Sequence, residues 1–426
     1  MRRSIPLLLS LAALAAFGSA RAQPPVDRYS LDDSIRLAQL NNAQLQSAEQ
    51  TITIARQRVQ EATFLFFPEV GLQASATRYD ARYPFALRPD FRSILLFPSV
   101  DDNLFSGRAY LSLPLYQGGR HVNTLQMARA AFKQARSKYD AVKMDIAYEV
   151  TKAFYRLLKA RAEEEAAAQT LRKAESAAQN GKGRWERVEA ESLASELRSE
   201  VAQARHILES ARLEFLKGLN KELDAPVEAA GRIETRAVEV DLKKALVWAA
   251  ELRPELQSQA YKAQMDAIAV NLALGRRSPT VALGLDYELT GPRLPLKQNN
   301  WDATLGVRIP FSLDYWTQHT QKVAEQRQGE LARSELQDKV QLEVRLAYED
   351  LRYWQAEWPR RESEHERLSE LVREGVQAAP GDGLDILRAE LRLLKAHRSR
   401  LEAVTEHILS RARLERAVGR TLPEQR

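Results

Sequence analysis

The chain contains one unit written twice, and this duplication limits the folds it can adopt more than any other feature. Short matches recur in the same order along both halves, which chance does not explain. They include Leu45-Gln46-Ser47 with Leu256-Gln257-Ser258, Ala147-Tyr148-Glu149 with Ala347-Tyr348-Glu349, and His206-Ile207-Leu208 with His407-Ile408-Leu409. We therefore predict a first repeat at residues 23–222, a linker at 223–240 and a second repeat at 241–426.

Each repeat is predicted to contain a helix, a β-hairpin, a very long helix and a further helix. The first helix is expected from about Leu31 to about Phe64. Residues 120–180 contain neither glycine nor proline, so nothing interrupts a helix there, and about 60 residues would span about 90 Å. The predicted bounds are hairpin about 68–117, long helix 118–180 and helix 184–220 in the first repeat, and hairpin about 279–311, long helix 313–378 and helix 384–419 in the second.

Residues 1–22 are predicted to be a secretory signal peptide. Arg2 and Arg3 precede an apolar stretch, and Ala20-Arg21-Ala22 fits the small-residue cleavage pattern. The chain has no cysteine, so it offers no thiol for lipidation and is not expected to be a lipoprotein. The net charge of +6 is spread along alternating charges and gives no case for nucleic-acid binding. Beyond the signal peptide, no apolar stretch is long enough for a transmembrane helix.

Both hairpins alternate apolar and polar residues with a period of two, which is typical of strands with one apolar and one polar face. A half-buried hairpin on a soluble domain shows the same alternation. Two such hairpins in an exported chain, each followed by a very long helix, favour transmembrane barrel strands instead. Four strands cannot close a barrel, and open edges are not tolerated in lipid, so copies of the chain are expected to share one barrel. The apolar positions of the first and last strands are Val70, Leu72, Ala74 and Ala76, and Trp301, Ala303, Leu305, Val307, Ile309 and Phe311.

The long helices carry apolar residues at coiled-coil spacing, four and three residues apart. These positions are Ile146, Val150, Ala153, Leu157 and Ala160 in the first repeat, and Val340, Val344, Ala347, Leu351 and Trp354 in the second. Glycines near residues 180 and 381 predict turns between paired helices. The predicted fold class is therefore mainly α with a membrane β-barrel: an internally duplicated, long α-helical coiled-coil barrel plus four strands per chain.

The duplicated unit, the junction Leu113-Pro114-Leu115-Tyr116-Gln117-Gly118-Gly119 and the closing alanine-rich helices resemble the TolC-like outer-membrane factor family. The resemblance covers nearly the whole chain after the signal peptide. It implies a homotrimer with a twelve-stranded barrel in the outer membrane of a Gram-negative bacterium, above a helical barrel in the periplasm. The linker at 223–240 would lie in an equatorial girdle. The implied function is a passive exit duct of a tripartite efflux or type I secretion system. Its implied partners are outer-membrane lipid, a periplasmic adaptor (membrane fusion) protein and an inner-membrane transporter of RND, ABC or MFS type.

The resemblance also marks the helix turns as sites. Family members begin the helix after the second turn with two aspartates that ring a closed aperture; here Asp385 matches the first, and Arg388 stands at the second. The first turn has Arg187 where an aspartate is expected. Asp385, Arg388 and Arg187 are thus the predicted periplasmic aperture, with either repulsion between Asp385 copies or an ion pair to an arginine controlling it. Helix capping alone is the alternative for Asp385. The predicted adaptor-docking tips are Gly181, Gly183, Gly381 and Gly383.

No motif of catalysis or cofactor binding is present, so we predict no enzyme, cofactor or metal. His206 and His407 are expected to be packed at equivalent places, and His365 to lie on a solvated face. Trp358 and Pro359 predict a kink or an end of the second long helix. The alternative function is a periplasmic coiled-coil adaptor or structural protein without a pore, which has no need of two alternating hairpins.

Overall fold

The computed structural model describes residues 27–78, 103–180, 183–311, 314–378 and 383–422. The predicted signal peptide therefore lies outside the described residues. In chain order the elements are β1 (Asp27–Tyr29), α1 (Leu31–Asn41), α2 (Ala43–Phe64), β2 (Glu69–Arg78), β3 (Asn103–Tyr116), α3 (Arg120–Asn180), α4 (Arg184–Gly218), β4 (Val227–Ala229), α5 (Leu242–Leu252), α6 (Pro254–Gly275), β5 (Thr280–Gly291), β6 (Gln298–Arg308), α7 (Tyr315–Ala378) and α8 (Gly383–Val418).

The two predicted hairpins join into one four-stranded antiparallel sheet with the order β2-β3-β5-β6. The repeats meet at β3 and β5, where Leu111 lies opposite Leu285. Apolar side chains lie along one face, and Leu72 is 86% exposed within a single chain. An apolar face this exposed on a sheet with two edge strands is not a finished structure in water.

The long helices pack as two antiparallel pairs, α3 with α4 and α7 with α8. Their coiled-coil positions are buried as the spacing predicts, among them Val150, Leu157, Val344 and Leu351. The largest core cluster surrounds Phe154 and Phe215, whose rings meet edge to face with centroids 5.9 Å apart. Such aromatic contacts add to the area that burial removes from water. The mainly helical class is thus confirmed, and the four predicted hairpin strands are present in one sheet.

The single helix predicted from about Leu31 to about Phe64 is wrong, because the chain breaks at Asn42 into α1 and α2. The Asn42 side chain accepts hydrogen bonds from the backbone N–H groups of Gln44 (2.8 Å) and Leu45 (3.2 Å). This cap satisfies donors that a new helix would otherwise leave unpaired. The second repeat breaks at the equivalent place, where Pro254 occupies the first turn of α6.

The predicted linker takes part in a second, two-stranded sheet that the sequence analysis missed. β4, within the linker, pairs in parallel with β1, and Asp27 lies opposite Val227. The Nζ atom of Lys221 lies 2.8 Å from a carboxylate oxygen of Asp27 and fixes this contact from the end of the first repeat. The start of the chain is thereby tied to the connection between repeats.

Two further features concern single residues. α7 continues through Pro359 to Ala378, so a helix end at that proline, one of the two alternatives, is wrong. Gly118 and Gly119, between β3 and α3, have φ values of +62° and +75°. Any Cβ on Gly118 would lie 2.5 Å from the Cβ of Ser278, so only glycine fits this joint. No helix in the described part of the chain is long and apolar enough to cross a membrane.

Candidate functional site

The polar face of the sheet carries charged residues at its centre. Asp286 lies directly opposite Asp302 on β6, and like charges in that position repel. Arg108, on β3, relieves this repulsion, because its guanidinium lies 2.6 Å from Asp286. Glu288 is on the same face, opposite Arg108. The centre of this face is therefore acidic, with Arg108 paired to Asp286.

The far end of the helices places two of the three predicted aperture residues in one ion-pair cluster. Arg388 donates to Asp385 at 3.0 Å and, through Nε, to Glu189 at 3.2 Å. Glu189 first and Asp385 second raise the pKa of Arg388 above its ordinary value. Because Glu189 belongs to α4 and Arg388 to α8, the cluster joins the two repeats at their tips.

Arg187 does not join this cluster. It is exposed one turn into α4, and among the residues that the structure describes no ion pair connects it to Asp385. Glu189 was missed because its partner is 199 residues away, and an exposed glutamate in a charged helix carries no local signal.

The two glycines of the tips that can be described differ in their surroundings. The backbone N–H of Gly183 donates to a carboxylate oxygen of Glu186 at 3.1 Å, which caps the start of α4. A side chain on Gly383, the first residue of α8, would meet nothing within 4 Å. Gly181 and Gly381 lie outside the described residues.

The tip is packed unevenly. A buried cluster is formed by α3, α4 and α8; it includes Ala174, Leu197, Leu387 and Leu394. Within the described chain, α7 contributes no residue to this cluster. α7 instead lines a groove of about 590 Å³ beside α8, whose wall includes Leu371, 53% exposed. Asp385 and Arg388 also line the groove.

The histidines depart from both sequence-based expectations. His407 is completely buried, but its repeat equivalent His206 is exposed, so equivalent packing is wrong. His365 is half-buried rather than solvated, because it packs against His397 of α8 with ring centroids 5.2 Å apart. Burial first, then the charge of Arg400, lowers the pKa of both imidazoles, that of His397 to about 4.

The sequence profile of the outer membrane efflux protein family matches residues 34–228. No curated protein sequence matches the chain. Among solved structures, the chain is similar to the CmeC outer membrane channel of Campylobacter jejuni, with 15% identity, 93% of this chain and 87% of that chain covered, and a TM-score of 0.79.

Two further solved structures are also similar over most of the chain. The outer membrane protein VceC of Vibrio cholerae shares 16% identity over 92% of this chain and 97% of that one, with a TM-score of 0.75. The open state of the MtrE outer membrane channel of Neisseria gonorrhoeae shares 17% identity over 92% and 89%, also with a TM-score of 0.75. At these identities the likeness establishes the fold.

Proposed function

Because residues 34–228 match the outer membrane efflux protein family, we propose that the chain forms a trimeric outer-membrane channel, a passive exit duct of a tripartite efflux or type I secretion system. Members of this family are channels and not enzymes, so the expectation that the chain is not an enzyme is confirmed. The channel would sit in the outer membrane of a Gram-negative bacterium with its helices in the periplasm.

The proposal rests mainly on the four-stranded sheet, which is incomplete within one chain. Its edge strands β2 and β6 have, among the described residues, one pairing partner each. Its apolar face runs across all four strands, in one row through Val70, Leu111, Leu285 and Ala303. Lipid suits that face, but lipid leaves edge N–H and C=O groups without partners. Pairing β6 of one copy with β2 of the next removes every edge, and three copies supply twelve strands.

Cysteine cross-linking tests this closure directly, since the natural chain contains no cysteine. Ala74→Cys on β2 is combined in one chain with a cysteine at successive β6 positions of the same face, starting with Ala303. Edge-to-edge pairing predicts a disulfide-linked trimer on denaturing gels for at least one β6 position. The matched control places the two cysteines at Leu111 and Leu285, which already face each other within one chain, and should give monomers only. A ladder limited to dimers, or no cross-link at any position, contradicts the closed trimer.

The aperture is the finer part of the proposal. Arg388, held by Asp385 and Glu189, closes the periplasmic end by joining α8 to α4. Arg187, near the start of α4, would supply a further positive charge of the aperture. These charged side chains are exposed to solvent, so water easily replaces their ion pairs when a partner binds. The tips Gly181, Gly183, Gly381 and Gly383 are the proposed contact with a periplasmic adaptor, which would connect the duct to an inner-membrane transporter of the RND, ABC or MFS type.

Single-channel conductance in a planar bilayer tests the aperture. We expect Arg388→Ala to raise the conductance of the isolated channel, because it removes the link between α8 and α4. Arg373→Ala is the matched control, since Arg373 pairs with Glu370 within α7 alone. Asp385→Ala tests the carboxylate, and Arg187→Ala the isolated arginine. If Arg388→Ala and Asp385→Ala both conduct like the natural channel in correctly inserted trimers, these residues do not form the aperture.

A further inference from the structure

Two contacts between the helices hold the C-terminal half of α7, which leads to the tip, to α8. Glu362 of α7 accepts from Arg400 of α8 at 3.0 Å. Three residues further along α7, and three residues earlier along α8, Nε2 of His365 lies 3.4 Å from Nδ1 of His397. The shared register shows that the histidines face each other because of the helix pairing. They do not meet by a chance rotation of one ring.

This pair occupies a place where other contacts are few. The buried cluster at the tip is formed by α3, α4 and α8, and among the described residues α7 adds nothing to it. Below the histidines, α7 turns Leu371 and Val376 toward an open groove, where both are partly exposed. Among the described residues, the imidazole pair is therefore a polar contact between α7 and α8 just above the segment that lines the groove.

The spacing of the two rings matches that of two ligands on one metal ion. Zinc binds imidazole nitrogen at about 2.0–2.1 Å in a tetrahedral arrangement, which puts two such nitrogens about 3.3 Å apart and their ring centres about 5.2 Å apart. The structure has 3.4 Å between the nitrogens and 5.2 Å between the ring centroids. A hydrogen bond between two neutral imidazoles prefers a nitrogen separation nearer to about 2.9–3.0 Å.

From this geometry we infer that His365 and His397 form a two-histidine site for a divalent transition-metal ion of the zinc class, which bridges α7 and α8. The described residues include no group of three histidine and carboxylate ligands, so water completes the coordination. The half-exposed position of His365 leaves room for that water.

The charges around the pair permit a cation. Arg400 is the nearby positive group, and its ion pair with Glu362 at 3.0 Å offsets that charge. Glu366, next to His365, adds a negative charge at the water-facing side. Neutral imidazole is the form that binds metal.

The test is a zinc titration of the full chain, purified in detergent with a tag that contains no histidine and freed of metal with a chelator. We expect one zinc ion per chain. We expect His365→Gln to weaken that binding at least tenfold, because glutamine retains a hydrogen-bond partner for His397 but is a poor zinc ligand. His206→Gln, an exposed histidine of α4, is the matched control and should bind zinc as the natural chain does.

Cobalt(II) supplies a second readout that does not depend on affinity. A four-coordinate site with imidazole ligands gives a visible absorption band, which His397→Gln should abolish while circular dichroism shows the helices intact. If His365→Gln binds zinc with the natural affinity and stoichiometry, or if the cobalt band survives in His397→Gln, the site does not exist. The pair is then a hydrogen bond only. The channel proposal is tested separately, by the cysteine cross-links.

Discussion

His407 should make the stability of this protein depend on pH in a defined direction. Its side chain is completely buried, and its Nδ1 lies 2.7 Å from Oγ1 of Thr235 in the connection between repeats. Its Nε2 has no partner among the described residues. Burial first, and then the charge of Arg411, lowers the pKa of His407 from 6.5 to about 4.

The sign follows from proton uptake. Between pH 6.5 and about 4 the unfolded chain binds a proton at His407 and the folded chain does not. Folding is therefore fully supported above pH 6.5 and loses stability as the pH falls toward 4. The shift from 6.5 to about 4 corresponds to about 3 kcal/mol per chain, at about 1.4 kcal/mol for each pKa unit.

The assay compares the natural chain with His407→Gln in guanidinium unfolding, followed by circular dichroism from pH 7.5 to 4. Glutamine does not titrate and retains a polar group for Thr235. His397, which titrates in the same range, is present in both proteins, so its contribution cancels in the difference. Equal protein concentrations cancel any contribution from assembly.

We expect the difference in free energy of unfolding to change by about 3 kcal/mol per chain between pH 7 and 4, with the natural chain losing more as the pH falls. Parallel curves for the two proteins would show that His407 stays neutral in the unfolded chain or is hydrated in the folded one. Either result refutes the reasoning from burial.

Three further outcomes follow from the packing and charges. Gly118→Ala should block assembly of the membrane form, measured as loss of the heat-modifiable band, because its φ of +62° and the crowded joint exclude a Cβ. Phe215→Ala should lower the free energy of unfolding by about 3–5 kcal/mol, because the completely buried ring leaves a cavity. Arg108→Ala should shift the reversal potential in a salt gradient toward cation selectivity, because it leaves Asp286 unneutralised.

Each of these has a control variant with the same kind of substitution or at the same position. Gly375→Ala, in α7, adds a methyl group where nothing lies within 4 Å, and should assemble normally. Leu213→Ala, on the exposed side of α4, should cost far less than Phe215→Ala. Arg108→Lys retains the charge and should retain the natural selectivity. Equal effects of test and control variants would contradict the physical reason given for each pair.

The sequence predicted those parts of the fold that depend on local sequence patterns. α3 is long because its sequence contains no glycine or proline to break the hydrogen-bond ladder, whereas α7 continues through Pro359. The strands alternate because successive side chains point to opposite faces of the sheet, one apolar and one polar. The breaks at Asn42 and Pro254 also had local signals, an N-cap residue and a proline in the first turn of α6. Helical periodicity on both sides obscured them.

The parts that the sequence did not predict depend on contacts between distant residues. β1 and β4 have three residues each, too few for a pattern, and they form a sheet only because the fold brings residues 200 apart together. The partner of Arg388 was hidden in the same way, since Glu189 is one exposed acid among many. The partner of an exposed charge depends on how the helices are arranged in space, and the sequence of a charged helix does not show that arrangement.

The two repeats have the same order of helices and strands, but their long helices α3 and α7 are packed differently at the tip. This difference decides which helix can move. α3 is fixed at the tip by Ala174 inside the buried cluster. α7, its counterpart in the second repeat, leaves Leu371 exposed at the same end and contacts α8 there through polar pairs. Because the free energy that opposes separation grows with the apolar area buried, the lower part of α7 is the least costly of the four helices to displace within one chain. A ligand that bridges His365 and His397 would hold this part of α7 to α8.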